Sequence, residues 1–307
     1  MNVFDNTINM LIPNIITNLE LPNKTNNIDV VLDGGAFCGS YLYGCIFYLK
    51  QLESRNIINI KRISGCSIGV IIGLLYFMDK LELSIDFYNK VRHCFIKHKN
   101  IKISKKIIKH LIDSVDDNFY KFVSDKLFIT YYDITTCHQH VVSKFKNNNH
   151  LYKCLLRTTH VPFVIDGSFS CDTKYVDGLK PFIFQPLNDR EIIYMNLFTI
   201  EMIKKMLYVR NEINNSERVI TGILDIHSFF SNKSKSKICS YVSQWSYMDK
   251  IKLYFRNIIT NLFIYILNYY SYYLNNISNP DNITNNTSFW NKVLYSFYKN
   301  FIITYLI

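Results

Sequence analysis

The sequence predicts an α/β fold with a mostly parallel sheet, and three observations carry that reading. The stretch "IDVVLDGG", residues 28–35, has the apolar run and glycine ending of a buried strand. A helix-spaced segment, "SYLYGCIFYLKQLESRN" at 40–56, separates it from a second strand pattern, "INIKRISG" at 58–65. Another glycine turn then opens the apolar helix "IGVIIGLLYFMDKL" at 68–81. Strand, helix, strand, turn, helix is the rhythm of parallel strands joined by crossover helices.

The flanking segments follow the same logic. Residues 1–27 read as a leader with a short helix near 8–20. Residues 82–127 are mostly helical in pattern. Within them "KNIKISKKIIKH" sets Lys102, Lys105, Lys106 and Lys109 on one face and Ile103, Ile107, Ile108 and Leu111 on the other. "KLFITYYDITT" and "HQHVVSKFK" read as two adjacent strands, and "HLYKCLLRTT" at 150–159 as a short helix. "TKYVDGLKPFIF" is a strand meeting a turn at Asp177-Gly178, and "REIIYMNLF" is a further strand. Past about residue 200 the alternation fades, and 241–307, rich in Tyr, Phe, Ile and Leu, reads as helices. The chain thus divides into a leader, 1–27, an α/β domain, 28–190, and a C-terminal completion with an aromatic-rich helical region, 191–307.

Composition narrows the partners. A net charge of +11 suits an anionic surface, but the basic residues are scattered and no nucleic-acid motif accompanies them, so nucleic acid is not an expected partner. None of the eight cysteines forms a C-x-x-C pair and most lie among apolar residues, the pattern of reduced, buried thiols. The first residues mix Asn and Asp with apolar side chains rather than forming a signal peptide, so an intracellular setting is expected. His138 and His140 share a strand face without carboxylates or thiols at metal-ligand spacing, and read as exposed strand residues. No metal and no organic cofactor is expected.

The chemistry centres on "GCSIG". Gly65 and Gly69 flank Ser67 at G-x-S-x-G spacing between a strand and a helix, in a chain with only 10 glycines. That is the arrangement of a nucleophile elbow, where a tight turn lifts the hydroxyl clear of the sheet and the helix N-terminus faces the site. The competing reading is a β–α turn with Ser67 as helix cap. Upstream, "LDGGAFCG" at 32–39 leaves the N–H groups of Gly34, Gly35 and Ala36 open to a substrate oxygen, with Gly39 closing the turn. As a dinucleotide fingerprint it is imperfect, because Ala36 replaces the middle glycine. No histidine stands in a recognisable triad context. Asp177, at a strand end before Gly178, is the candidate base, against the alternative of a turn-forming Asp-Gly.

Taken in order, the glycine-rich turn "DGGAFCG" at 33–39, the elbow "GCSIG", the segment "RTTHVPFVIDG" at 157–167 and "YVDGLKP" resemble the motifs of the patatin-like phospholipase family over roughly residues 28–190. Ala36 stands at the family's third glycine, Cys38 at its common basic position, and Leu179 where the family has Gly or Ala after Asp-Gly. The resemblance implies a three-layer α/β/α sandwich and a Ser–Asp dyad without histidine. Ser67 would be the nucleophile, Asp177 the proton acceptor, and Gly34, Gly35 and Ala36 the oxyanion hole. It implies a lipid acyl hydrolase acting on fatty-acyl esters of a phospholipid, lysophospholipid or glyceride. The alternative is a catalytically weak or inactive lipid-binding protein on the same fold.

A lipid substrate implies a docking surface on a membrane or droplet. The basic amphipathic stretch 97–111 is one candidate. The uncharged stretch 257–280 is another. Its length suits a membrane span, but its asparagines and tyrosines favour an interfacial or core-packing helix.

Overall fold

The computed structural model describes residues 14–15, 25–206, 208–209, 212, 215–277 and 296. The leader expectation and the end of the tail therefore lie mostly outside the described residues. Seven strands form one mixed sheet: β1 (Asn26–Leu32), β2 (Ile58–Gly65), β3 (Leu127–Asp133), β4 (His138–Val142), β5 (Tyr175–Asp177), β6 (Glu191–Met195) and β7 (Cys239–Tyr241). The order is β4-β3-β2-β1-β6-β7, with β5 pairing β3. The β3-β2-β1-β6 centre is parallel, whereas β4, β5 and β7 pair antiparallel.

The helices are α1 (Gly39–Ser54), α2 (Ile68–Phe77), α3 (Leu83–His98), α4 (Ile103–Asp113), α5 (Phe119–Val123), α6 (Asn148–Thr158), α7 (Ile200–Lys205), α8 (Ser216–Asn232) and α9 (Tyr247–Ile277). Alternation along the strands separates two apolar faces. Ile28, Val30 and Leu32 of β1, with Ile193 and Met195 of β6, share a core with α1, α2 and α8. Val31, Ile192 and Tyr194 face the other way, onto Phe184 and its neighbours. On that second face α9 sets Ile264 and Leu267 against Tyr132 and Val176. The result is the expected three-layer α/β/α sandwich with a mostly parallel sheet.

Two features depart from the sequence reading. β7 lies where the alternation had faded. Three residues, "CSY", carry no periodicity, and they are strand only because β6 offers Ile193–Met195 for pairing. The elements past residue 190 are also integral to the core: α8 lies directly against α1. A Cβ added to Gly222 would sit 2.1 Å from the Tyr41 carbonyl oxygen, and one added to Gly44 would sit 2.1 Å from that of Val219. The two helix backbones therefore touch at reciprocal glycines, and Cys45 Sγ donates to the Gly222 carbonyl oxygen at 3.2 Å.

The basic stretch behaves as its pattern suggests. Ile108 and Leu111 of α4 are buried, Lys102, Lys106 and Lys109 are exposed, and Lys105 pairs with Asp166 at 2.6 Å. His138 and His140 are both exposed on β4. Among the described residues no helix is long and apolar enough to cross a membrane, which removes the span expected as an option for 257–277; residues 278–280 lie outside the description.

The α1–α8 contact yields a stability prediction. In an exposed helix Gly→Ala stabilises by about 1 kcal/mol. At Gly222 the new methyl meets main chain that cannot rotate away, so Gly222→Ala should destabilise by ~1–3 kcal/mol. Chemical denaturation of the two proteins measures the sign.

Candidate active site

Ser67 and the glycine turn lie at the carboxyl ends of the parallel strands β2 and β1, where open α/β sheets form their crevices, and Asp177 ends the antiparallel β5 near them. β2 delivers the serine. After Gly65 the chain turns sharply, and Ser67 holds φ 51° and ψ −129°, a backbone state strained for any residue with a side chain. A Cβ at Gly69 would lie 2.6 Å from the Asp33 carbonyl oxygen, and one at Gly65 would lie 2.9 Å from Val70 N. The motif spacing thus reflects main chain packed on main chain. The Ser67 N–H donates to Thr158 Oγ1 at 2.9 Å, which fixes the turn from the end of α6.

β5 delivers the carboxylate, and β3 sets its distance. β2 pairs with the first half of β3, ending at Gly65 opposite Ile129. β5 pairs with the second half of that same edge, with Asp177 opposite Tyr131. Two residues of β3, about 7 Å, thus separate the strand ends that lead to Ser67 and carry Asp177. Gly178 lets the turn after Asp177 press on β3, since a Cβ there would sit 2.3 Å from the Thr130 carbonyl oxygen. Leu179 follows at φ 53°, a left-handed conformation in which glycine is free of strain.

Asp177 is 5% exposed. Its Oδ1 accepts the Leu179 N–H at 2.8 Å, while its Oδ2 is buried without a hydrogen-bond partner. Burial pushes the carboxyl up to about 6; the neighbouring Ser67 hydroxyl and the Leu179 N–H hold it down, and the Asp33 charge pushes the same way as burial. Ser67 and Asp177 line the same cavity, and no hydrogen bond joins Ser67 to Oδ2.

No histidine hydrogen-bonds Ser67 among the described residues. His160 is buried beside the base strand, where its carbonyl oxygen accepts the Asp177 N–H at 2.9 Å. Its Nε2 lies 3.5 Å from Ser168 Oγ and its Nδ1 has no partner.

The glycine turn is partly as expected. The N–H groups of Gly35, Ala36 and Ile68 have no hydrogen-bond partner among the described residues, and all three residues line the same cavity as Ser67. Gly34 is a correction. Its N–H donates to Asp33 Oδ1 at 2.9 Å, so this loop offers two free donors rather than three, and Ile68, at the start of α2, adds a third. Gly39 admits the start of α1 against Ile68, since a Cβ would fall 2.2 Å from Ile68 Cγ1.

Asp33 was not singled out from sequence, yet it is the hub of the site. Fully buried, it accepts from Gly34 N, Leu197 N, Tyr194 Oη and both terminal nitrogens of Arg256. Thr130 was also missed; its single Oγ1–H is shared between the carbonyl oxygens of Lys180 at 2.9 Å and Gly65 at 3.2 Å, joining the end of β2 to the turn after Asp177.

Ser67, Asp177 and the glycine turn open into a cavity of about 540 Å³. Ile71, Ile72 and Leu75 of α2, Phe87 and Val91 of α3 and Ile108 of α4 give it an apolar lining. Among the described residues no three of His, Cys, Asp and Glu gather where they could hold a metal ion. Compared with known proteins, the chain matches no family model and no curated protein.

A raised carboxyl pKa is also a statement about stability. A buried Asp177 favours its protonated form, so its contribution is intact below about pH 4 and lost as pH rises through about 6. At 1.36 kcal/mol per pH unit the ionised side chain costs about 3 kcal/mol at neutral pH. Asp177→Asn should therefore raise Tm at pH 7–8, and the gain should vanish below pH 4; a pH series of thermal melts checks both.

Proposed function

We propose that the protein is a lipid acyl hydrolase that cleaves fatty-acyl esters with a Ser67–Asp177 dyad. One observation carries the reading: a serine on a strained strand-to-helix turn lies beside a buried, partnerless carboxylate oxygen at the mouth of an apolar cavity. The three ordered motifs that resemble those of patatin-like phospholipases, with the segment between them, point the same way.

In this reading the acyl chain fills the cavity and its carbonyl sits at Ser67. Asp177 Oδ2 takes the hydroxyl proton as Oγ attacks, and a proton affinity raised toward neutrality suits it to do so. The oxyanion accepts from the N–H groups of Gly35, Ala36 and Ile68, which are already oriented and need no reorganisation. The proton passes to the leaving alcohol. Water, deprotonated by Asp177, then releases the fatty acid from acyl-Ser67.

The lipid surface meets α9. Tyr254, Phe255, Ile258, Ile259, Leu262 and Phe263 are all exposed and form one face of that helix, opposite the buried Arg256, Thr260 and Ile264. An aromatic and aliphatic face of this kind, on a basic protein, suits the headgroup boundary. The second reading, a lipid-binding protein with slow turnover, draws on the commitment of the Gly34 N–H to Asp33.

A serine-directed fluorophosphonate should label the protein at Ser67 and nowhere else; no labelling would favour the second reading. Ser67→Ala should abolish ester turnover, and Asp177→Asn should lower it by about 10²–10⁴-fold. Wild-type turnover should fall on the acid side through about pH 6, as Asp177 protonates, and a chelator should leave it unchanged.

Sedimentation with anionic vesicles tests the surface. Phe255→Ser combined with Leu262→Ser should reduce the bound fraction, and unchanged binding would remove α9 from the lipid contact.

A further inference from the structure

Arg256 lies on α9, 79 residues beyond the base in the chain, yet its side chain is 6% exposed and ends inside the site. Its guanidinium makes four hydrogen bonds to three residues. Nη1 donates to Asp33 Oδ2 and to Tyr194 Oη, each at 2.7 Å. Nη2 donates to Asp33 Oδ1 at 2.6 Å and to the carbonyl oxygen of Leu179 at 2.7 Å. The plane also lies over the Phe198 ring, 4.5 Å from its centroid, and Phe198 lines the cavity.

These bonds reach both halves of the site. Asp33 receives the Gly34 N–H and so anchors the loop that carries the Gly35 and Ala36 donors. Leu179 is the left-handed residue whose N–H holds Asp177 Oδ1. A left-handed leucine is strained and persists only where its surroundings hold it. The Arg256 bond to its carbonyl oxygen is one such restraint, and Lys180 Nζ bonded to Asn257 Oδ1 at 2.8 Å is another from the same helix.

Resting on the hydrolase reading above, we propose that Arg256 is a positioning residue for the reaction. It sets the separation between the oxyanion loop and the Asp177 turn without touching substrate, which makes α9 a part of the catalytic apparatus. Only a planar fork fits the role. A lysine keeps a cation against Asp33 but cannot serve Asp33, Tyr194 and Leu179 together.

The test uses the full chain and a soluble p-nitrophenyl ester, so that vesicle docking plays no part. Arg256→Lys should lower kcat by between about tenfold and 10²-fold, the scale of a sub-ångström to ångström misplacement of reacting groups, and leave KM within about twofold. Leu52→Ala, buried at the far end of α1 and about 20 Å along that helix from Gly39, supplies a variant with weakened core packing away from the site; its kcat should stay near wild type even where its Tm falls as far. Tyr194→Phe removes one guanidinium acceptor while keeping the ring in place, and should lower kcat severalfold should Arg256→Lys not fold.

Full kcat in a folded Arg256→Lys or Tyr194→Phe protein overturns the proposal, as does a loss in Leu52→Ala that matches that of Arg256→Lys. An active wild type with active variants sinks this inference alone. A wild type that neither turns over esters nor labels at Ser67 sinks the hydrolase reading and this inference with it.

Discussion

The arrangement of the site depends on one strand edge. β3 pairs with β2 over its first half and with β5 over its second, on the same side. The parallel strand arrives from one end of the sheet and the antiparallel strand from the other, and both stop near the middle of β3. Ser67 and Asp177, 110 positions apart in the chain, are thus brought together by backbone hydrogen bonds whose register cannot slip by one residue without reversing every side chain. β4 on the opposite edge of β3 and Thr130 between the two strand ends stiffen the same template.

Two carboxylates share this dry end of the sheet, and only one has a cation. Asp33 takes Arg256 in a two-point pair, while Asp177 is left with a single N–H on one oxygen. The asymmetry has a chemical sense. A guanidinium on Asp177 would lower its proton affinity and make it a poor acceptor, whereas a buried charge at Asp33 without a partner would be strongly destabilising. Placing the cation on Asp33 compensates that buried charge and leaves the proton affinity of Asp177 raised by burial. The fold thus disfavours the ionised form of Asp177.

Much of the architecture was legible in the sequence. β1, α1, β2 and α2 announce themselves through apolar runs separated by glycine turns, and the parallel centre follows from their order. The elbow was legible because steric contact leaves a signature: Gly65 and Gly69 stand where main chain meets main chain. The remainder depends on long-range packing. β7 has three residues and no pattern of its own. Gly34 reads as an open donor until the Asp33 side chain is seen folding back onto it. Arg256 sits in "KLYFRNIITN" like any solvated arginine of an amphipathic helix, and only the course of α9 across the sheet places it under the glycine turn. Leu179, a departure from the glycine or alanine expected there, is held by Asp177 Oδ1 on its N–H and by Arg256 on its carbonyl oxygen.

The contact between Asp33 and Arg256 spans 223 positions of the chain, and this gives the molecule a clock. A growing polypeptide presents Asp33, Ser67 and Asp177 well before it presents the guanidinium. Until Arg256 emerges, the Asp33 carboxylate has no cation to accompany it out of water, and the crevice above the sheet stays hydrated. At ribosomal elongation rates the interval between Asp177 and Arg256 is on the order of ten seconds. During that interval the nascent chain holds Ser67 and Asp177 but lacks the guanidinium that ties the glycine loop to the Asp177 turn, so the site takes its folded arrangement only after α9 has been made.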